Sequence, residues 1–179
     1  MNRREVISSV ALLLGGTILG SQVFLSGCKT ATTDVVAFTP KDIELLNEIA
    51  ETILPATSTP GAKEAKVGDF MAVIVKDCYK PEEAKIFMDG IVAIGPSFMK
   101  ASTQERHDLL VKLDQEAADF QKTKKEDQSP HYFRMMKELT LWGFFSSEVG
   151  ATKALRYIAV PGKYDGCIDY KKGDRAWAT

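Results

Sequence analysis

The residues of this chain whose types could do chemistry are few: three cysteines, two histidines and scattered carboxylates. His107 falls on the polar side of a helical pattern and His131 at the start of one, positions that suit solvated side chains better than ligands or bases. No Cys-x-x-Cys or His-x-x-x-His pair occurs, so neither a zinc site nor a c-type haem is encoded. Gly-x-Gly-x-x-Gly and Walker-type phosphate loops are missing as well. Glu82, Glu83 and Asp89 share one stretch, but carboxylates without a partner base or a second acid read as a wet helix face rather than general acid–base machinery. The sequence therefore predicts no catalytic, cofactor-binding or metal-binding residue.

Cys28 is different, because its neighbours prescribe a reaction. Arg3 and Arg4 form a charged n-region, Val6 to Leu25 is an apolar run, and Leu25-Ser26-Gly27-Cys28 closes it. Positive charge held on the cytoplasmic side, an apolar segment and small residues at the cut form an export signal. The run is long enough to suggest a membrane anchor, but Gly15, Gly16, Gly20 and Gly27 make a poor membrane helix. Leu-Ser-Gly-Cys resembles the lipobox of bacterial lipoproteins, in which the thiol is acylated before cleavage on its N-terminal side. Asn2-Arg3-Arg4-Glu5-Val6-Ile7 partly matches a twin-arginine signal, the route for folded cargo. The chain thus divides into a signal at 1–27, a lipid tether at 28–38 and a domain at 39–179, placed on the periplasmic face of a bacterial membrane.

Removing 27 of 179 residues leaves 152, enough for one domain with a real core. Arg3, Arg4 and Glu5 leave with the signal, so 23 basic and 24 acidic side chains become 21 and 23, a net of −2. That balance excludes a nucleic-acid binder built on a basic patch. Cys78 and Cys167 remain, in a compartment that permits disulfides. Three states stay open for them: a mutual bridge closing a loop of about 90 residues, a bond from one of them to a partner chain, or two free thiols.

The elements that must position these residues are helical. Thr39 is an N-cap, Pro40 suits the first helical position, and Ile43, Leu46, Ile49, Ala50 and Ile53 recur at helical spacing until Pro55. Residues 56–68, with Pro60-Gly61, read as a long loop, and 69–79 as a buried helix. Pro81-Glu82-Glu83 opens a helix that buries Ile86, Phe87, Ile91 and Ile94 and ends near Gly95-Pro96. Ser102-Thr103-Gln104-Glu105 is a capping box whose helix buries Leu109, Leu110, Leu113, Ala117 and Phe120. After a charged link at 121–128, Pro130 starts a helix carrying Tyr132, Phe133, Met136, Leu139 and Trp142, and a short helix covers 148–156. The fold expected is a single compact all-α, multi-helix domain with an irregular tail. That tail is aromatic: Trp142, Phe144, Phe145, Tyr157, Tyr164, Tyr170 and Trp177 all lie between position 142 and the end. They either fold back on their own core or, with Cys167, anchor a protein interface, where Tyr and Trp dominate binding energy.

Two sets of blocks carry a resemblance. Glu51-Thr52-Ile53-Leu54-Pro55, Thr59-Pro60-Gly61-Ala62 and Val67-Gly68-Asp69-Phe70 resemble the N-terminal signature of the gluconate 2-dehydrogenase subunit 3 family. Gly143 to Gly150, Leu155-Arg156-Tyr157, Pro161-Gly162-Lys163-Tyr164, Gly166-Cys167 and Gly173-Asp174-Arg175-Ala176-Trp177 resemble its C-terminal signature. The resemblance implies a small, non-catalytic partner of a large FAD-dependent oxidoreductase of the glucose-methanol-choline type, which oxidises sugars or sugar acids. It also implies that the twin-arginine signal exports both chains, with the FAD held by the large subunit and no flavin contact assigned here. The lipobox at Cys28 is a departure: it adds a membrane anchor that the family does not require. The other reading is a stand-alone lipid-anchored binding or structural module, a covered monomer with a Cys78–Cys167 bridge.

Overall fold

The computed structural model describes residues 36–160, 162–163 and 165–178. The expected export signal with Arg3 and Arg4, the expected lipidation site Cys28, and Tyr164 lie outside the described residues. The described domain is all-α. Its helices are α1 (Pro40–Ile53), α2 (Val67–Cys78), α3 (Pro81–Lys100), α4 (Thr103–Thr123) and α5 (Tyr132–Ser146), followed by a single π-helical turn at Gly150–Ala154. Among the described residues there is no strand, only an isolated bridge between Arg156 and Trp177. No described helix is long and apolar enough to cross a membrane.

Local chemistry sets most helix starts. Thr39 accepts from the Asp42 amide while the Asp42 carboxylate accepts from the Thr39 amide, closing a capping box ahead of Pro40. Ser102 and Glu105 do the same for α4. His131 caps α5, its Nδ1 accepting the Phe133 amide at 3.2 Å. α3 passes through Gly95 rather than ending there: φ of 62° and ψ of −178° break the helix, and a last turn resumes from Pro96.

α5 is the central element and packs on each of the other four helices. It therefore buries more than one stripe: Phe133, Met135, Met136, Leu139, Thr140 and Phe144 are all buried. The buried Thr140 hydroxyl donates to the Met136 carbonyl at 2.8 Å. Around α5 lie Leu46 and Ile49 of α1, Met71 and Val75 of α2, Phe87, Ile91, Ile94 and Phe98 of α3, and Leu110 and Leu113 of α4. Leu109 is exposed and Phe120 half-buried, so α4 presents a narrower stripe than its sequence predicts. The compact unit begins at Val36, and Phe38 meets Phe87 edge-on at 6.3 Å.

The α1–α2 connection at 54–66 is irregular yet fully tied down. The Glu51 carboxylate accepts the amides of Ala56 and Lys63, both at 2.9 Å, and Asn47 Oδ1 accepts the Gly68 amide at 2.9 Å. A Cβ at Gly61 would overlap both Glu51 carboxylate oxygens and lie 2.6 Å from the Ala56 nitrogen. Beside it, Glu48 pairs with Lys63 and with Arg106 of α4 at 2.8 Å. Arg106 also donates to the Phe98 and Met99 carbonyls at the end of α3 and stacks over the Phe98 ring.

Two predictions follow from these contacts. Glu51→Ala strands two loop amides and is expected to cost about 2 kcal/mol, a fall in Tm of roughly 4–8 °C; Glu44→Ala on the exposed side of the same helix should change little. His131 packs on Phe120 and Tyr132, and burial lowers its pKa from 6.5 against the opposing charge of Glu116. The cap needs the neutral imidazole, so the unfolded chain takes up the proton first as pH falls. Its contribution is therefore whole above 6.5 and is lost as pH falls through that value toward the folded pKa. Thermal melts at several values from about pH 7.5 to about pH 5.5 should show Tm declining in the wild type and less so in His131→Asn, which retains a capping acceptor.

Candidate functional site

The titratable groups with shifted pKa values all have structural partners. A hydrogen bond from Lys63 holds the Glu48 carboxyl low, with Arg106 adding to it against burial. The Ser102 amide and hydroxyl do the same for Glu105, while Lys122 and Gln115 do so for Asp119. Burial pushes Tyr79 up to about 12, helped by the charges of Glu138 and Glu83. A recess of about 390 Å³ lies over Glu48, Glu51, Gly61 and Lys63, but its carboxylates are the ones that hold the loop and Arg106. No group of three or more His, Cys, Asp or Glu placed to hold a metal occurs among the described residues. His107 is exposed beside Asp108, and Glu82 and Asp89 are exposed.

The unusual chemistry is apolar and lies at the C-terminal end. From Arg156 the chain leaves the helical body, makes a long excursion and returns to the same residue. The Arg156 amide donates to the Ala176 carbonyl at 2.8 Å, and the Ala178 amide donates back to the Arg156 carbonyl at 2.9 Å. The Arg156 guanidinium donates to the Arg175 carbonyl at 3.0 Å, lies 4.4 Å over the Trp177 ring and stands 3.9 Å from Asp174. Arg175 in turn donates to the Lys153 carbonyl in the π-helical turn. Asp174 accepts the Lys171 amide while its own amide donates to the Lys171 carbonyl, a turn in which Gly173 takes a φ of 99°. The result is a closed loop whose neck is fixed by paired backbone and a cation–π contact.

The loop carries its apolar side chains outward. Tyr157 is 56% exposed, Val160 82% and Tyr170 76%, and Ile158, Ile168 and Trp177 are exposed too. Ile158, Val160, Lys163, Ile168 and Trp177 line a cleft of about 840 Å³. Cys167 is an exposed free cysteine within the loop, and Cys78 an exposed free cysteine at the end of α2.

Of the aromatic residues the sequence nominates, Tyr157 and Trp177 sit together on this loop while Trp142 and Phe145 sit elsewhere. Trp142 is 55% exposed, meets Phe70 edge-on at 5.2 Å, and shares the outer side of α5 with Leu141 and Phe145. Val73 of α2, one turn beyond Phe70, is exposed as well. Phe144 is a correction: it is 4% exposed and belongs to the core, because α5 is enclosed by neighbours on several sides. Trp142, carried by the helix and nominated for an interface, faces out. Sequence reasoning missed Ile158, Val160 and Ile168. An unbroken apolar Tyr157-Ile158-Ala159-Val160 run outside any helical period was the signal that could have found them.

The blocks noted in the sequence now have physical roles. Glu51 to Phe70 builds the tied α1–α2 connection. Gly143 gives room to Phe70, whose Cδ1 would lie 2.6 Å from a Cβ there. Arg156 and the Gly173 to Trp177 block, far apart in sequence, are the two halves of the neck. The family model for gluconate 2-dehydrogenase subunit 3 matches residues 40–162, and the chain belongs to that family. No curated protein and no solved structure matches the chain.

Arg156→Ala is expected to open the neck without unfolding the body. Chymotrypsin should then cut after Tyr157 and Tyr170 several-fold faster, while the helical circular dichroism stays within error of wild type. Equal cleavage rates would mean that the loop is held by other contacts.

Proposed function

We propose that this chain is the non-catalytic small subunit of a periplasmic, membrane-anchored FAD-dependent gluconate or sugar dehydrogenase, and serves as export escort, chaperone and anchor for the large flavoprotein. Membership of the family supports a place in a dehydrogenase complex. The observation that carries the reading is the concentration of exposed apolar side chains on the C-terminal loop of an otherwise well-packed domain. Such surface on a small domain marks an interaction site. By the family resemblance the partner is a glucose-methanol-choline type oxidoreductase that carries the FAD, and this chain itself holds no cofactor.

Each part of the chain then has a task. Arg3 and Arg4 direct both subunits through the twin-arginine route, which accepts a large subunit already folded around its flavin. The small subunit covers and steadies that passenger. Acylated Cys28 afterwards holds the pair at the periplasmic face. Cys167 lies among the apolar residues of the loop and is available for a bond to the partner. The stand-alone module requires a covered monomer with a Cys78–Cys167 bridge; the outward-facing loop favours the subunit.

Affinity purification of the chain from its native membrane, with an absorbance spectrum and a non-reducing gel, tests this. A yellow, larger co-purifying chain is expected, and Cys28→Ala should release both chains from the membrane fraction together. A shift of both bands on reduction would identify an interchain disulfide. A colourless, partner-free monomer would sink the proposal.

A further inference from the structure

Among the described residues, exposed aromatic side chains gather on two surfaces: the outer side of α2 and α5 around Trp142, and the loop closed at Arg156. They differ in preparation and in charge. The loop is shaped in advance, since backbone pairing, the Arg156–Trp177 stack and the Arg175–Lys153 hydrogen bond fix its neck. Ordering that would otherwise be lost on binding is already in place. Residues 156–178 carry five basic side chains (Arg156, Lys163, Lys171, Lys172, Arg175) against three acidic ones (Asp165, Asp169, Asp174), a net of +2. Residues 28–155 carry 16 basic and 20 acidic side chains, a net of −4. The ion pairs of the loop among the described residues, Arg156–Asp174 and Lys163–Asp165, leave out Lys171 and Lys172.

A basic, apolar, preformed element on an acidic body selects a partner of opposite character. Resting on the subunit reading above, we propose that the clasped loop is the docking element for the large dehydrogenase subunit, and that it meets an apolar groove bordered by carboxylates. Tyr157 and Tyr170 enter the groove, an apolar side chain of the partner fills the cleft lined by Ile158, Val160 and Ile168, and Lys171 and Lys172 pair with the groove's border. Arg156 acts through Trp177 and Arg175 as a positioning residue for the loop.

An anionic bilayer offers similar charge, and exposed aromatics suit its headgroup layer. Two features favour a protein. The described residues from Tyr157 to Tyr170 make no backbone–backbone hydrogen bond with one another, which leaves amides and carbonyls that polar groups of a protein partner can pair. The loop is also concave: the cleft of about 840 Å³ calls for a protruding side chain, not a smooth layer.

The test uses the full chain with an affinity tag inserted in the exposed α4–α5 link at Asp127, purified from native membranes. Wild type and Lys171→Glu/Lys172→Glu are compared, the latter altering exposed lysines outside the neck. At about 0.15 M salt the double reversal should retain at least roughly tenfold less flavoprotein. Wild-type retention should weaken as salt rises, with the helical circular dichroism of the two proteins alike. Arg156→Ala should lower retention as well, by loosening the loop. If wild type brings down the flavoprotein and the double reversal retains as much, docking by the loop is overturned while the subunit reading stands. If wild type brings down none, both fall. If, in a Cys28→Ala background, the double reversal abolishes flotation on phosphatidylglycerol vesicles but leaves flavoprotein retention untouched, the loop is a bilayer contact and the proposal is overturned.

Discussion

The Glu51 carboxylate, which accepts the amides of Ala56 and Lys63, is the contact on which the arrangement of the helices depends. A thirteen-residue connection (54–66) with two prolines and a glycine has no ladder of its own, so side-chain acceptors set its path. One turn earlier on α1, Glu48 holds Lys63 and Arg106, and Asn47 takes the first free amide of α2 through Gly68. Three polar residues on a single side of α1 thus fix where α2 begins, at what angle it leaves, and how α4 sits against α1. Arg106 extends the tie to α3 by donating to the Phe98 and Met99 carbonyls in its last turn. With those four helices placed, the space left between them is the one α5 fills.

That dependence explains what could be read in the sequence and what could not. Capping chemistry is local, so the starts of α1 and α4 follow directly from Thr39-Pro40-Lys41-Asp42 and Ser102-Thr103-Gln104-Glu105. Burial on α1 follows as well, because one side of that helix meets solvent and the apolar spacing shows. α5 resists the same reasoning. Enclosed by four helices, it has no single apolar stripe, so period alone could not tell that Phe144 is core and Trp142 is surface. The answer depends on Phe70, which occupies the space beside Gly143 and leaves Trp142 stacked on its outer edge. Gly95 misleads in the opposite way. It breaks the helix as its type suggests, but Phe98 is a core side chain and draws a further turn back onto the bundle.

The C-terminal loop was legible in composition but not in shape. Seven aromatic side chains after position 141 announce that something must be covered, and turn chemistry at Gly162, Gly166 and Gly173 announces that no helix will do it. The closure itself joins Arg156 to a block about twenty residues away through one bridge and one ring, and no local rule pairs them. Cation–π stacking of this kind contributes about 1 kcal/mol, too little to fold a segment that lacks a core of its own. It suffices here because the neck is anchored to the π-helical turn by the Arg175–Lys153 hydrogen bond, and through that turn to Gly150, which sits against the Phe144 carbonyl.

The division of labour in the chain follows from this difference in stability. The bundle buries one continuous apolar core and leaves none of its described buried side-chain polar atoms unpaired. The loop spends its apolar residues outward, and its preformed neck limits the conformations available to it. A free tail with the same residues would lose about 1–2 kcal/mol of backbone freedom for every residue ordered on binding, which would consume much of what burying Tyr157, Ile158 and Val160 returns. A loop packed into its own core would have nothing to offer. Closed at the neck and uncovered beyond it, the segment pairs low ordering cost with high apolar exposure, as a surface must when its apolar residues are to be buried against another molecule.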